Sequence, residues 1–542
     1  MNDVVKLVNG DLLVNPFDFN PTQQQINIVD ASKVKRLLKI EASAGASKTS
    51  TCELVAHNSP EKKALYMAFN KAMAVEAEEK FPSETVDCMT THSLAYRSFG
   101  HQLQHKLTRP RFTSFKDYVN VYGTGSEIAR AFKIKSWKCP RFTQVSLPAG
   151  FQGELIKRQV ALFESSADEF LRSHHFPMQM LFTKLKKYEK KLKAEDWKYV
   201  KDKIYNVFLP MITSYSEKLW EYRIDTSHVA LATHDTYLKL YQLSKPDLSH
   251  YDLIFGDEFQ DTTDCVLDIF MRQKDHCQLI MVGDSFQNIY QFRNAINALG
   301  RIEEDSYPLL KSFRFGPKVA GVAKMVLEGA IDITGNDSVD SQVLVNDTKK
   351  HKHYVKIFRG NATLLGEALE LIQRGVEVSI SIDVGDFCRK LESAVELKYG
   401  NMKKVKHPDI ICYENYQDFC DDAEIDKELS RIKDFVEGGK VGEVIKALKS
   451  YKKPRNPTVT FITAHKSKGL EWDIVHLADD FPSVYDRDGN FKGFEDDCER
   501  NLLYVAVTRA RKRLKVNQTI MELYEYHGNK WVDIDFLSEE DC

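Results

Sequence analysis

Residues 37–51, LLKIEASAGASKTST, constrain the fold more than any other stretch, because an apolar strand runs there into a loop of small residues and then a helix. Leu37, Leu38 and Ile40 form an apolar run of strand length. Ala42, Ala44, Gly45, Ala46, Ser47, Lys48, Thr49 and Ser50 then follow in the order that a phosphate-binding loop requires. Small residues let successive backbone N–H groups close around a phosphate. Lys48 brings a point charge to the terminal phosphates, and Thr49 offers a hydroxyl to Mg²⁺. The usual loop carries glycine just before the lysine, whereas this one has Ser47, and Ser43 occupies another position where glycine is common. A serine fits at 47 only if φ is negative or the strain is compensated. Taken alone, the stretch also admits a small-residue turn with no ligand.

A chain of 542 residues is too long for one core and should divide into about three or four domains. Apolar residues at 43% and charged residues at 28% describe ordinary globular material. No apolar run approaches the ~18 residues of a membrane span, so no membrane partner is expected. The opening MNDVVKLVNGDLLVNP lacks a basic-then-apolar leader, so an intracellular location is expected. The ten cysteines contain no CxxC pair and read as reduced thiols, with no zinc or iron–sulfur site. Net charge is only −2, so a polyanion would have to be met by local patches.

Upstream of the loop, FNPTQQQINIV at 19–29 reads as a polar turn entering a helix, with Asn20 as cap and Pro21 at the first helical position. Gln23 or Gln24 could reach an adenine edge from there. Downstream, Leu65–Met67 read as a buried strand, and VDCMTTHSLAYRSF at 86–99 makes the next apolar-to-polar transition. These transitions put Phe69, Asn70, Thr91 and His92 at strand C-termini, where open α/β sheets bind ligands. They are candidates to touch nucleic acid, or else helix caps and core residues. Residues 100–230 turn helical, with basic and aromatic residues interleaved in LTRPRF at 107–112, FKIKSWKCPRF at 132–142 and KLKKYEKKLKAEDWKYVKDK at 184–203. Such clusters suit phosphate contact and base stacking, or a solvated helix face.

YDLIFGDEFQDTT at 251–263 supplies a strand that delivers Asp257 and Glu258 at its end. Asp257 can hold Mg²⁺ while Glu258 polarises the attacking water. CQLIMVGDSFQNIYQFRNA at 277–295 follows, with Gln287 placed to sense a terminal phosphate and Tyr290, Phe292 and Arg293 placed to meet bases.

The ordered set EASAGASKTS, AFNKA, TTHSLA, DEFQD, VGDSFQNIYQFRNA, SFRFGP, TAHKSKGLEWD and NLLYVAVTRAR resembles the superfamily 1, UvrD-like helicases. Within them it is most similar to the helicase portion of the F-box DNA helicases, through residues 233–261 and 312–320. The resemblance runs from about residue 19 to 516. It implies an α/β fold of two RecA-like parallel-sheet cores with inserted, mainly helical subdomains. The first core would comprise 1–98 and 231–300, interrupted by a helical insertion at 99–230. The second would comprise 301–382 and 456–542, interrupted by a short subdomain at 383–455 whose sequence is charged and weakly patterned.

The resemblance further implies that Arg314 and Arg509 reach the transferring phosphoryl group, that Glu471 lies near the ribose, and that Thr463, His465 and Lys466 grip the nucleic-acid backbone. The implied cofactors are ATP and Mg²⁺. The implied substrates are single-stranded DNA and tailed or forked duplexes, with 3′-to-5′ movement. Single-strand-binding protein or recombinase filaments are the protein partners it admits. No F-box is evident, so no ubiquitin-ligase partner is implied, and the roughly 25 residues after the last motif are too few for a nuclease domain. Two weaker readings stand beside a DNA motor: a nucleotide-switched binding module, kept open by Ser47, and a scaffold with a degenerate ATPase core.

Overall fold

The structure is a computed structural model that describes residues 6–107, 123–289, 296–347, 349, 351–411, 413, 415–423, 427–439 and 441–535. Its frame is two six-stranded, all-parallel sheets. The first is built from β1 (Leu37–Ala42), β2 (Ala64–Ala68) and β3 (Val86–Thr90). An antiparallel ribbon, β4 (Trp137–Lys138) and β5 (Ser146–Leu147), interrupts the chain before β6 (Leu253–Gly256), β7 (Gln278–Gly283) and β8 (Ser306–Leu309) return to the same sheet. Its strand order is β3-β2-β6-β7-β1-β8. The second sheet contains β9 (Gln342–Leu344), β10 (Tyr354–Phe358), β11 (Val378–Ser381), β12 (Val459–Thr463), β13 (Trp472–Leu477) and β14 (Ala510–Lys515), in the order β11-β12-β10-β13-β14-β9.

The strands are apolar runs because helices cover both faces of each sheet. In β2, Ala64, Tyr66 and Ala68 enter one apolar cluster while Leu65 and Met67 enter another on the opposite face. β7 divides the same way, with Ile280 and Val282 on one side and Leu279 and Met281 on the other. In the second sheet Val355, Ile357, Val475 and Leu477 face one cluster, and Val378, Ile380, Val459 and Phe461 face its counterpart.

The insertion after β3 has its own core around the helices Ala149–Ser165, Met178–Glu189, Ala194–Lys203 and Leu209–Ile224. Tyr188 and Trp197 of the lysine-rich 184–203 stretch are buried in it, so they are core residues and not stacking platforms. A buried ion pair, Arg223 Nη1 to Glu164 Oε2 at 2.8 Å, ties two of these helices together. Thr236, on the helix His234–Leu243 that leads back to the first sheet, donates to Glu164 Oε1 at 2.6 Å.

The 383–455 region is better patterned than its charge suggested. Phe387, Leu391, Ala394 and Leu397 line one face of the helix Val384–Lys398. With Phe419, Ile432 and Val436 they form one cluster with the helix Asn361–Gln373, β11 and β12. The expected cap at Asn20 is displaced by two residues. Thr22 caps the helix Gln23–Ser32, because its hydroxyl accepts from Gln25 N while the Gln25 side chain accepts from Thr22 N.

Candidate nucleotide cleft and nucleic-acid interface

β1 ends at Ala42, and the loop that follows turns through Gly45 at φ +74° and Ser47 at φ +58° into the helix Lys48–His57. Ser47 does not take a negative φ: it is left-handed, at a cost of about 1–2 kcal/mol for a residue with a side chain. Glycine is required at 45 by proximity as well as by φ. A Cβ there would stand 2.6 Å from Ser312 Oγ and 2.7 Å from Arg314 Cβ, both on the chain leading into the second core. The Gly45 carbonyl accepts from Phe313 N at 2.9 Å, so the loop is roofed directly by the opposite core.

Lys48, Thr49, Asp257 and Glu258 converge beneath this loop. Thr49 Oγ1 donates to Asp257 Oδ2 at 3.0 Å, and Tyr66 OH donates to the same carboxylate oxygen. Lys48 Nζ lies 3.1 Å from Glu258 Oε1. Glu258 is a second left-handed residue, at φ +52°, held by the Gln260 amide, which donates to its carboxylate. Burial pushes Glu258 upward, yet Lys48 and Lys468 outweigh it and bring the group to about 2, so the carboxylate stays ionised. Asp257 goes the other way, raised by burial and by the Glu258 charge. Asp284 is also raised by burial. Buried Asp257 and Asp284 and half-buried Glu258 thus gather around Lys48, a donor set that fits a divalent cation held by Thr49 and Asp257.

The opposite wall comes from the second core. A cleft of about 360 Å³ is lined by Gly45–Ser50, Lys80 and Glu258 on one side and by Phe313, Arg314 and Glu471 on the other. Arg314 Nε donates to Glu471 Oε2 at 2.7 Å, and its Nη1 to the Thr508 carbonyl at 3.3 Å. Arg509 stands behind them, buried, with its guanidinium donating to Val505 O at 2.8 Å, Leu470 O at 3.2 Å and Thr508 Oγ1 at 3.0 Å. Burial first, and the Arg314 charge second, lower it to about 9. Gln23 is exposed and donates to Asn27 at 2.8 Å, whereas Gln24 accepts from Leu310 N at 2.9 Å.

Several bonds that sequence reasoning missed join the cores. Tyr504 OH accepts from Ala44 N at 3.0 Å and donates to Asp284 Oδ2 at 3.0 Å. Gln287, buried, donates to the same Asp284 oxygen at 2.7 Å, and its carbonyl accepts from Lys468 Nζ at 2.6 Å. Lys468 also pairs with Asp261. Asn501 Nδ2 donates to Asn288 O at 3.2 Å. A tyrosine amid the aliphatic residues of NLLYVAV was the available signal, since a buried phenol seeks a polar partner.

Phe69, Thr91 and His92 line a separate cavity of about 620 Å³ between the first core and the insertion, which Arg158 and Glu164 close and which reaches Asp257 and Glu258. His92 Nε2 lies 3.2 Å from Asp235 Oδ1. Asn70 caps the helix Lys71–Lys80, its Oδ1 accepting from Met73 N at 3.0 Å. Thr463 is buried at the end of β12, His465 is half-buried and Lys466 is exposed. Tyr290, Phe292, Arg293 and most of LTRPRF lie outside the described residues.

The UvrD/REP helicase N-terminal domain model matches residues 21–306, more than half of the 542-residue chain. The chain belongs to the UvrD/REP helicase family. The UvrD-like helicase C-terminal domain matches residues 413–519, so family matches fall on both sheets of this UvrD/REP member. It is 29% identical over 551 residues to F-box DNA helicase 1 of Gallus gallus, covering 96% of this chain and 51% of that protein. It is 31% identical over 552 residues to F-box DNA helicase protein 1 of Schizosaccharomyces pombe, covering 93% and 58%. A putative ATP-dependent DNA helicase of Acanthamoeba polyphaga mimivirus is 23% identical over 290 residues, covering 52% of this chain and 36% of its own. The chain thus spans a little over half the length of the two F-box DNA helicases. Among the described residues, no helix is long and apolar enough to cross a membrane.

Proposed function

We propose that this UvrD/REP family member is an ATP-dependent DNA helicase or translocase that moves 3′-to-5′ along single-stranded DNA in replication, recombination or repair. The observation that carries the reading is the split cleft: the loop bearing Lys48 belongs to one sheet, and Arg314 and Glu471, which face it, belong to the other. The domain limits given by the family resemblance, an intracellular setting, and single-strand-binding or recombinase partners belong to the same proposal.

Mg²⁺–ATP, when bound, supplies the phosphoryl group and the divalent charge that the buried carboxylates call for. Thr49 and Asp257 would hold the metal. Lys48 would exchange Glu258 for the terminal phosphates, which would free Glu258 to accept the proton of the attacking water. Arg314 is oriented by Glu471 and Thr508, and Arg509 by the backbone behind it, all within the second core, so their charge would reach a phosphate on the Lys48 loop only when the cores meet. Gln287 sits between Asp284 and Lys468 and precedes the 290–295 segment assigned to base contact. Cleft closure would therefore pull on the DNA-binding side. Phe69, Thr91 and His92 supply the wall on which the strand would enter.

Strand displacement on 3′-tailed and 5′-tailed duplexes tests the direction, with the 3′-tailed substrate expected to be unwound faster. Faster displacement from the 5′ tail would refute it. Clearance of a recombinase filament without duplex unwinding would favour the protein-stripping form of the same motor.

A further inference from the structure

The N-terminal edge of the second sheet, beside the strand starts that carry Glu471 and Arg509 to the nucleotide cleft, holds a concentration of charge that the motor reading does not use. Parallel pairing puts the N-terminal ends of β10, β11 and β12 on one edge and Thr463 and His465 at the other. From Val459 to Thr463 the separation is roughly 13 Å at about 3.3 Å per residue. Two segments meet on this edge: residues 345–347, 349 and 351–353, ahead of β10, and residues 452–458, ahead of β12. The His353 ring donates from Nδ1 to Pro457 O at 2.9 Å, and Tyr354 N donates to Thr458 O at 3.2 Å. Lys349, Lys352, Lys452, Lys453 and Arg455 are exposed on these segments, and none makes an ion pair among the described residues. Glu377, Glu471 and Asp473 are exposed acids of the same edge, and the last two are paired with Arg314, Arg511 and Lys512. In a chain of net charge −2, five such cations on joined segments are a local excess.

The first of these segments is anchored from beneath. Asp347, whose side chain is inaccessible, accepts from His351 Nε2 at 2.8 Å, His476 Nε2 at 3.2 Å and Arg513 Nη1 at 3.1 Å. The Asp347–His351–His476 group has the residue types of a metal site. Arg513 already neutralises its carboxylate and the Lys515 charge acts on His476, so a cation is disfavoured there. Asp347 fixes the loop that displays the lysines.

We propose that this edge is a docking surface for the phosphate backbone of duplex DNA, distinct from the single-strand path. Duplex is favoured over single strand because the aromatics here are already engaged. Tyr354 packs on His476 at 4.4 Å between centroids, and Tyr451 OH donates to Val378 O at 3.1 Å while accepting from Ile380 N at 2.9 Å. Bases have no ring to stack on, whereas a duplex offers one charge per ~1.7 Å to a flat basic edge.

The test is fluorescence anisotropy with blunt duplex DNA across a salt series, comparing the full chain with a variant carrying Lys352→Gln, Lys452→Gln, Lys453→Gln and Arg455→Gln. The slope of log affinity against log salt should fall by about 0.9 for each phosphate no longer neutralised, or roughly 3–4 if all four side chains touch phosphate. Oligo-dT binding and oligo-dT-stimulated ATP turnover should stay unchanged, which also shows that the variant folds. An unchanged duplex slope, or an equal loss on oligo-dT, overturns the proposal. If the wild type binds blunt duplex through these residues but shows no DNA-stimulated turnover, the surface stands and the motor reading falls.

Discussion

Tyr504→Phe isolates the joint between the two cores, because it removes one oxygen and leaves the ring. The ring is fully buried and meets Phe286 edge-on at 6.4 Å. Loss of the hydroxyl leaves the Ala44 N–H without its acceptor and Asp284 with one donor fewer. A buried polar group stripped of its partner costs about 1–3 kcal/mol. Water can satisfy both groups when the cores separate, so the penalty falls on the closed state alone. The closure equilibrium should shift by that amount, about 5–150-fold. ATP turnover at saturating DNA should fall by a similar factor, while nucleotide binding to the first core falls much less. Steady-state turnover beside energy transfer between dyes on the two cores reads both quantities. Unchanged turnover, or reduced turnover with unchanged energy transfer, would refute the argument that the phenol couples hydrolysis to closure.

Glu258→Gln should keep nucleotide binding, since Lys48, Thr49 and Asp257 remain, but lose hydrolysis by roughly 10²–10⁴-fold; loss of fluorescent-nucleotide binding would assign Glu258 to structure. Ser47→Gly relieves a left-handed serine worth about 1–2 kcal/mol, against about 0.5–1 kcal/mol of added chain freedom. Because the serine makes no capping hydrogen bond, nucleotide affinity should hold or rise, and a large loss would show that its hydroxyl binds phosphate. Asp261, raised to about 6 by burial against the pull of Lys468, takes up a proton in the folded chain before it does in the unfolded one. Its contribution therefore grows as pH falls from about 6 towards the ordinary carboxylate range and is lost as pH rises through 6. The melting temperature of the wild type should gain on that of Asp261→Asn over this interval, and parallel pH curves would contradict the assignment.

The parts of this architecture that the sequence made legible are those carried by local order. Apolar runs such as LIF at 253–255 and LIMV at 279–282 become strands buried on both faces, and Glu258, after the first of them, lines the cleft beside the loop after β1 because parallel strands share one C-terminal edge. Thr22 was legible too, since Thr-x-x-Gln is a capping box, but Asn20 and Pro21 masked it. The amphipathic spacing of Phe387, Leu391, Ala394 and Leu397 was obscured by the charges between them. Tyr66 and Tyr504 could not be read from spacing. Their hydroxyls meet Asp257 and Ala44 across 191 and 460 residues, and each sits in an apolar run whose local pattern specifies only burial.

ATP turnover with and without single-stranded DNA, in the wild type and in Lys48→Ala, tests the central claim most directly. Lys48 meets Glu258 and the cleft rather than an apolar cluster, so its removal should leave the fold and melting behaviour intact. The account predicts turnover that rises on addition of DNA and vanishes in the variant. Turnover indifferent to DNA, or DNA-stimulated turnover that survives Lys48→Ala, would contradict it.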